Sequence, residues 1–179
     1  MAETPLAQLR QEMEIDLEWL PFELRPEPAE LPAPDEARTL AYWAKSVTPL
    51  AERLGVEIHP PKARPHTRLA HEAFAFARAA GKAEAMSAGL FHAHFVAGED
   101  LGEIDTLVAI GKAAGVDEAG LRSALEQRTL KAEVEEGLRL AADVGVTAVP
   151  TFWIGRYGIP GLVDVATLKE VIAETEANP

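Results

Sequence analysis

The sequence predicts an α/β protein whose strands lie at the two ends of the chain, with a block of helices between them. Three observations predict this. The stretch "EIDLEWL" (14–20) alternates, with Ile15, Leu17 and Trp19 on one face and Glu14, Asp16 and Glu18 on the other, which is the period of a half-buried strand. From residue 36 to residue 144, apolar residues recur at helical spacing and are punctuated by single glycines. The apolar run that follows Pro150 leads into a glycine-bounded hairpin pattern and a last helical stretch. The most compact arrangement joins the ends as one sheet and leaves the helices as an inserted subdomain. On this reading residues 1–34 and 146–179 form a discontinuous core, and residues 35–145 form the helical insertion.

Taken in order, residues 4–13 carry Leu6, Leu9 and Met13 at spacings of three and four, a short amphipathic helix. The strand at 14–20 follows. Residues 21–36 hold five prolines and read as an extended connector. Asp35 is placed to cap a helix that ends at Leu54 before Gly55, with a kink at Pro49. Residues 55–66 are irregular. Thr67 opens a helix with the apolar stripe Leu69, Ala73, Phe76 and Ala77, ending at Gly81. Further helices are expected at 82–97, at 103–114, after Asp117, and at 129–144. The chain then gives a strand at 151–155, a turn at Gly155–Gly158, a second short strand at 158–162, and a helix at 164–177 capped by Asp164.

Composition narrows the chemistry. A chain of 179 residues can bury roughly 70% of its unfolded surface, so its core needs no metal or disulfide. With 17 basic and 29 acidic residues the net charge is −12, which repels phosphate backbones and anionic lipids. Neither nucleic acid nor a membrane surface is an expected partner. There is no cysteine, which excludes disulfides, thiolate metal sites and redox chemistry on the chain's own sulfur. The first residues lack both a basic and an apolar region of the secretory type, and no run of about 18 apolar residues is present, so a cytoplasmic protein is the default expectation. Of the five histidines, His92 and His94 point to different sides of a helix, and His66 and His71 are five apart. Neither pair has chelating spacing, and no metal is expected. Phe74, Phe76, Phe91 and Phe95 read as insert core, although they could line a cleft.

Pro150 is the residue that asks for an explanation, because a proline at the mouth of a buried strand removes a ladder donor. A trans proline that merely starts the strand is the commoner case. Here a helix end, a glycine and a Val–Pro pair directly precede an apolar strand with its hairpin partner. "GVTAVPTFWI" resembles the cis-proline loop of thioredoxin-fold proteins, in the version carried by the DsbA family. "EIDLEWLPFELRPE", "HTRLAHEAFAFARAAGK", "AGLFHAHFVAGEDLGEIDTL", "AAGVDEAGL" and "GLVDVATLKEVI" continue the resemblance, in family order, from residue 14 to the last helix. They point to the FrnE-like and 2-hydroxychromene-2-carboxylate isomerase-like branch.

The resemblance implies a thioredoxin-like core with a large helical insertion. It implies a substrate-docking element at Val149, Pro150 and Thr151, whose main-chain groups would pair with an extended peptide or a thiol ligand. It places His71 near the cleft between insert and sheet, where packing is the simpler role and substrate contact the alternative. The implied partner is a protein or small-molecule thiol or disulfide, no cofactor is required, and glutathione is a candidate ligand or co-substrate. A homodimer is left open. Family members begin with a strand that leads into a C-x-x-C turn at a helix N-terminus, where the thiolate is stabilised. That strand and turn have no counterpart here, and in the family the first strand lies between the strands that correspond to 14–20 and 151–155. Three arrangements would reconcile this: an upstream segment supplies the element, 14–20 shifts to pair directly with 151–155, or a partner chain contributes the strand. The functional expectation is a thiol–disulfide oxidoreductase lineage without its own thiolate. The alternatives are a glutathione-dependent isomerase or transferase, whose activating serine would also fall in the missing turn, and a binding module.

Overall fold

Nine α-helices and one β-hairpin make up the computed structural model, which describes residues 1–178. The helix α1 (Glu3–Glu12) turns its buried Leu6 and Leu9 against Leu168 of α9 (Val165–Ala177), so the two ends of the chain meet. The hairpin strands β1 (Thr151–Ile154) and β2 (Tyr157–Pro160) pair antiparallel in the register Phe152↔Ile159 and Trp153↔Gly158. Gly155 turns the hairpin at φ +57°, a left-handed conformation that side chains resist. Phe152 and Ile154 pack on the same cluster as α1 and α9. Asp164 caps α9 by accepting a hydrogen bond from the Thr167 N–H at 2.8 Å, as its position predicts.

Between the ends stand α2 (Ala37–Tyr42), α3 (Thr48–Leu54), α4 (Arg68–Ala79), α5 (Ala83–His92), α6 (Ile104–Ala113), α7 (Glu118–Glu126) and α8 (Lys131–Asp143). A second cluster fills their interior, with Ala73, Ala77, Met86, Leu107 and Leu121 fully buried. The stripe predicted on α4 faces it: Leu69, Ala73, Phe76 and Ala77 all belong to that cluster. Asp117 caps α7 through the Gly120 N–H at 2.8 Å.

Four expectations need correction. Residues 14–20 keep the predicted alternation, with Ile15, Leu17 and Trp19 half-buried and the acidic residues between them exposed, yet they form no strand. No backbone group of residues 14–20 bonds to another backbone group among the described residues. The side-chain period is present, but no adjacent edge is. The same observation rules out direct pairing of 14–20 with 151–155. Asp35 caps nothing: Glu36 precedes the first helical residue and makes no side-chain cap to its backbone, and the helix is interrupted by a π-helical turn at Trp43–Val47, just ahead of Pro49. Thr67 stands at the start of α4 but makes no side-chain cap. Phe91 is 50% exposed, outside the core, and stacks on Phe95, which in turn meets Trp43 at 6.0 Å between ring centroids. A second π-helical turn, Ala93–Ala97, carries Phe95 to that contact.

Candidate functional site

The loop ahead of β1 starts where α8 ends. Gly145 takes φ +76°, and Val146 N–H donates to Ala141 O at 2.9 Å, closing the helix in the usual left-handed manner. Residues Thr147, Ala148 and Val149 are exposed. The Val149–Pro150 bond is cis, as is Glu27–Pro28 in the connector. Two contacts set the loop's shape. Thr151 Oγ1 donates to Ala148 O at 2.7 Å, and Gly161 N–H donates to Pro150 O at 2.7 Å. These bonds occupy the carbonyls on either side of Val149 and leave its own N–H and C=O without a partner among the described residues. Val149 is 49% exposed. Such an arrangement can take an extended ligand by main-chain pairing.

The three predicted loop residues are therefore held together. His71 belongs to a different neighbourhood. It lies on α4 close to the connector, where the Phe22 backbone and the charges of Glu23 and Arg68 bear on its ring. Burial is the largest influence on it and holds the imidazole below its ordinary pKa. Glu23 and the Phe22 backbone pull the other way, and Arg68 adds to the lowering. The sign of the resulting pH dependence follows. The unfolded ring protonates near pH ~6.5, whereas the folded ring stays neutral to lower pH. Stability contributed by neutral His71 is complete above ~6.5 and is lost as pH falls from there toward the folded value. The difference between urea midpoints at pH ~7.5 and ~5.5 should be smaller in His71→Gln than in the parent. An equal difference would show that His71 does not carry it. His94, in the second π-helical turn, is also lowered by burial and acts in the same direction.

Around His71 the structure shows a feature that the motif reading passed over. Glu23, only 8% exposed, receives both Arg68 Nε at 3.0 Å and Arg68 Nη2 at 2.8 Å. Arg68 also reaches Glu135 of α8 at 3.3 Å. One turn along α4, Glu72 is 1% exposed and is bound by Arg128 Nε and Nη2, at 2.7 Å for the closest contact. The fork geometry suits bidentate carboxylate binding. This network fastens the "PFEL" connector to α4, α8 and the end of α7. The signal was present: Glu72 sits between Leu69 and Phe76 on the apolar stripe of α4, where a carboxylate needs a buried cation. Close packing supports the same join, because a side chain at Gly137 of α8 would lie 2.7 Å from the Pro21 ring.

Among the described residues no group of three or more His, Asp or Glu side chains is placed to hold a metal ion. No helix is long and apolar enough to cross a membrane. A hairpin backed by two terminal helices, a helical insertion and an exposed loop ahead of β1 define a thioredoxin-like fold. The chain belongs to the DSBA-like thioredoxin domain family, whose model matches residues 1–173. It is 37% identical to the uncharacterized protein YwbO of Bacillus subtilis over 167 residues, covering 91% of this chain and 84% of that one. Its fold is similar to that of a probable DsbA oxidoreductase from Streptomyces coelicolor, with a TM-score of 0.80 at 17% identity over 99% of this chain and 84% of that one. It is also similar to that of a 2-hydroxychromene-2-carboxylate isomerase, with a TM-score of 0.78 at 19% identity over 97% and 87% of the two chains.

Proposed function

We propose that this protein is a cytoplasmic DsbA-type binding member of the thiol–disulfide lineage, which docks a thiol- or disulfide-bearing extended ligand at Val149–Pro150–Thr151. The main chain of Val149, unpaired between the bonds to its two neighbours, carries this reading. With no cysteine in the chain, the exchange step has no thiolate of its own. The docked ligand must supply the sulfur, or the role is recognition alone. His71 would act through the connector and not by touching the ligand, because it is buried beside Phe22 and within the field of Glu23 and Arg68. A glutathione-dependent isomerase is the second reading. It is favoured by the fold's similarity to 2-hydroxychromene-2-carboxylate isomerase and by the fact that such chemistry needs no protein thiol.

Titration with reduced and oxidised glutathione, read by amide exchange at Val149 and by melting temperature, tests the docking element. Saturable protection of Val149 together with a raised melting point is expected. Unchanged exchange at Val149 with either form at millimolar concentration would sink the docking role. Conversion of 2-hydroxychromene-2-carboxylate in the presence of glutathione would favour the isomerase reading over recognition alone.

A further inference from the structure

We infer that the surface built by residues 37–66 around Phe91 is a docking face for an acidic segment of another protein, seated by a bulky apolar side chain. The inference is independent of the loop at Val149–Thr151 and begins with charge. The chain as a whole carries −12, yet residues 37–66 hold Arg38, Lys45, Arg53, Lys62 and Arg64 against only Glu52 and Glu57. All of these cations but Arg64 are exposed. Among the described residues none of the five forms an ion pair, whereas most basic residues elsewhere in the chain do. Glu57 is itself engaged by His59 at 3.2 Å. A run of unneutralised cations leaves a local positive potential on an otherwise negative surface.

The same surface is apolar where an outer helix face is normally polar. Leu40, Ala44 and Val47 recur at spacings of four and three, the period of a core-facing stripe. Trp43 is nevertheless the only buried residue of the helical run Ala37–Val47. Leu40 and Ala44 are exposed, and Tyr42 beside them is 62% exposed. Phe95 draws the pieces together. Trp43 meets its ring at 6.0 Å between centroids, Phe91 stacks on it at 6.1 Å, and the His59 N–H donates to its carbonyl at 2.7 Å. Three residues farther on, Lys62 Cδ lies 2.8 Å from where a Cβ on Gly98 would stand. Exposed aromatic and aliphatic side chains thus sit beside unpaired cations, which is the composition of an interface and not of a solvated helix.

Shape and charge select the occupant. Neither the cleft between α5 and α6 nor the one at Gly81–Ala85 takes a residue from 37–66, and an open face of this kind suits a protein segment better than a small molecule. A two-fold dimer through it would set cations against cations, which disfavours a second copy. A long nucleic acid would overrun the patch onto the acidic remainder of the surface. A short segment rich in Asp and Glu is complementary, and a Phe or Leu within it would cover Leu40, Tyr42 and Phe91.

The test uses the 179-residue protein and a short fluorescein-labelled peptide in which glutamates flank two phenylalanines. Saturable binding is expected, with NMR shifts confined to residues 38–66 and 91–95, and it should weaken by about tenfold between ~0.05 and ~0.5 M salt. Reversing two charges together, Arg38→Glu and Lys45→Glu, should weaken it by about tenfold or more, and Tyr42→Ala by about fivefold. Melting temperatures should stay near the parent's, because all three side chains are exposed. A peptide with both phenylalanines replaced by serine needs no protein variant and should bind about tenfold more weakly. Equal binding of the two peptides would reduce the effect to bulk charge and overturn the inference. So would tighter binding of a single-stranded oligothymidylate or of phosphatidylserine vesicles, a dimer in sedimentation that the charge reversal dissociates, or no saturable binding at millimolar peptide.

Discussion

Replacing Arg128 with alanine should destabilise the protein by about 3 kcal/mol, far more than truncating a surface arginine normally does. Glu72 is 1% exposed, and its carboxylate takes both Nε and Nη2 of Arg128. Removing the arginine leaves that charge buried with only the field of Arg68 nearby. Breaking a buried pair costs about 3–5 kcal/mol. The lower end applies because the Arg128 side chain is 42% exposed, so water can enter the space it leaves. The reverse deletion is expected to be milder. In Glu72→Gln the partly exposed guanidinium can turn to solvent, and the cost should be about 1–2 kcal/mol.

A backbone effect can be separated from the ionic one. Arg128 has φ +55°, the left-handed position that ends α7, with Thr129 N–H bonded to Ala124 O. Glycine is the residue that suits such a site, and a side chain there costs about 1–2 kcal/mol. Arg128→Gly should therefore be more stable than Arg128→Ala by about 1 kcal/mol while lacking the same ion pair. Urea midpoints at neutral pH measure all three variants. If Arg128→Ala and Glu72→Gln lose equally little, the pair is a surface contact and α4 is held to the end of α7 by packing alone.

Much of this architecture could be read from residue order, and the failures share a cause. Local capping was legible only in part: Asp117 and Asp164 each bond a backbone N–H three residues on, whereas Asp35 and Thr67 cap nothing. The stripe on α4 was legible because periodicity reports a face without needing its partner. Residues 14–20 show the limit of that rule. Their alternation foretold which side chains are buried but not that the backbone lacks an edge to pair with. Phe91 misled because helical spacing does not report whether a face is covered: it lies on α5, exposed and stacked on Phe95. At the candidate site the loop 149–151 came from a local pattern. The Glu23–Arg68 and Glu72–Arg128 pairs join residues 45 and 56 positions apart, and nothing in a single sequence fixes which cation meets which carboxylate.

Truncating Leu121 to alanine should cost about 2–5 kcal/mol, and its partner Gly111 decides how that loss can be recovered. Leu121 of α7 is fully buried, and its Cδ2 lies only 2.3 Å from where a Cβ on Gly111 of α6 would stand. Leu121 thus fills the space that a side chain at residue 111 would need, and the helices approach this closely because residue 111 has none. In the parent, Gly111→Ala brings two opposed effects. Helix propensity favours alanine by up to about 1 kcal/mol, while overpacking a fixed side chain costs about 1–3 kcal/mol. With Leu121 unable to move outward, overpacking wins and the single variant should be destabilised. In the Leu121→Ala background the same change places a methyl in vacated space, fills part of the cavity and keeps the helix gain. Gly111→Ala should therefore reverse sign, with a coupling of about 1–3 kcal/mol in a double-mutant cycle read from urea midpoints at constant m-value. Additive losses would mean that α6 and α7 move apart when residue 111 grows, and that the seal on the insertion's core does not depend on the fit between Gly111 and Leu121.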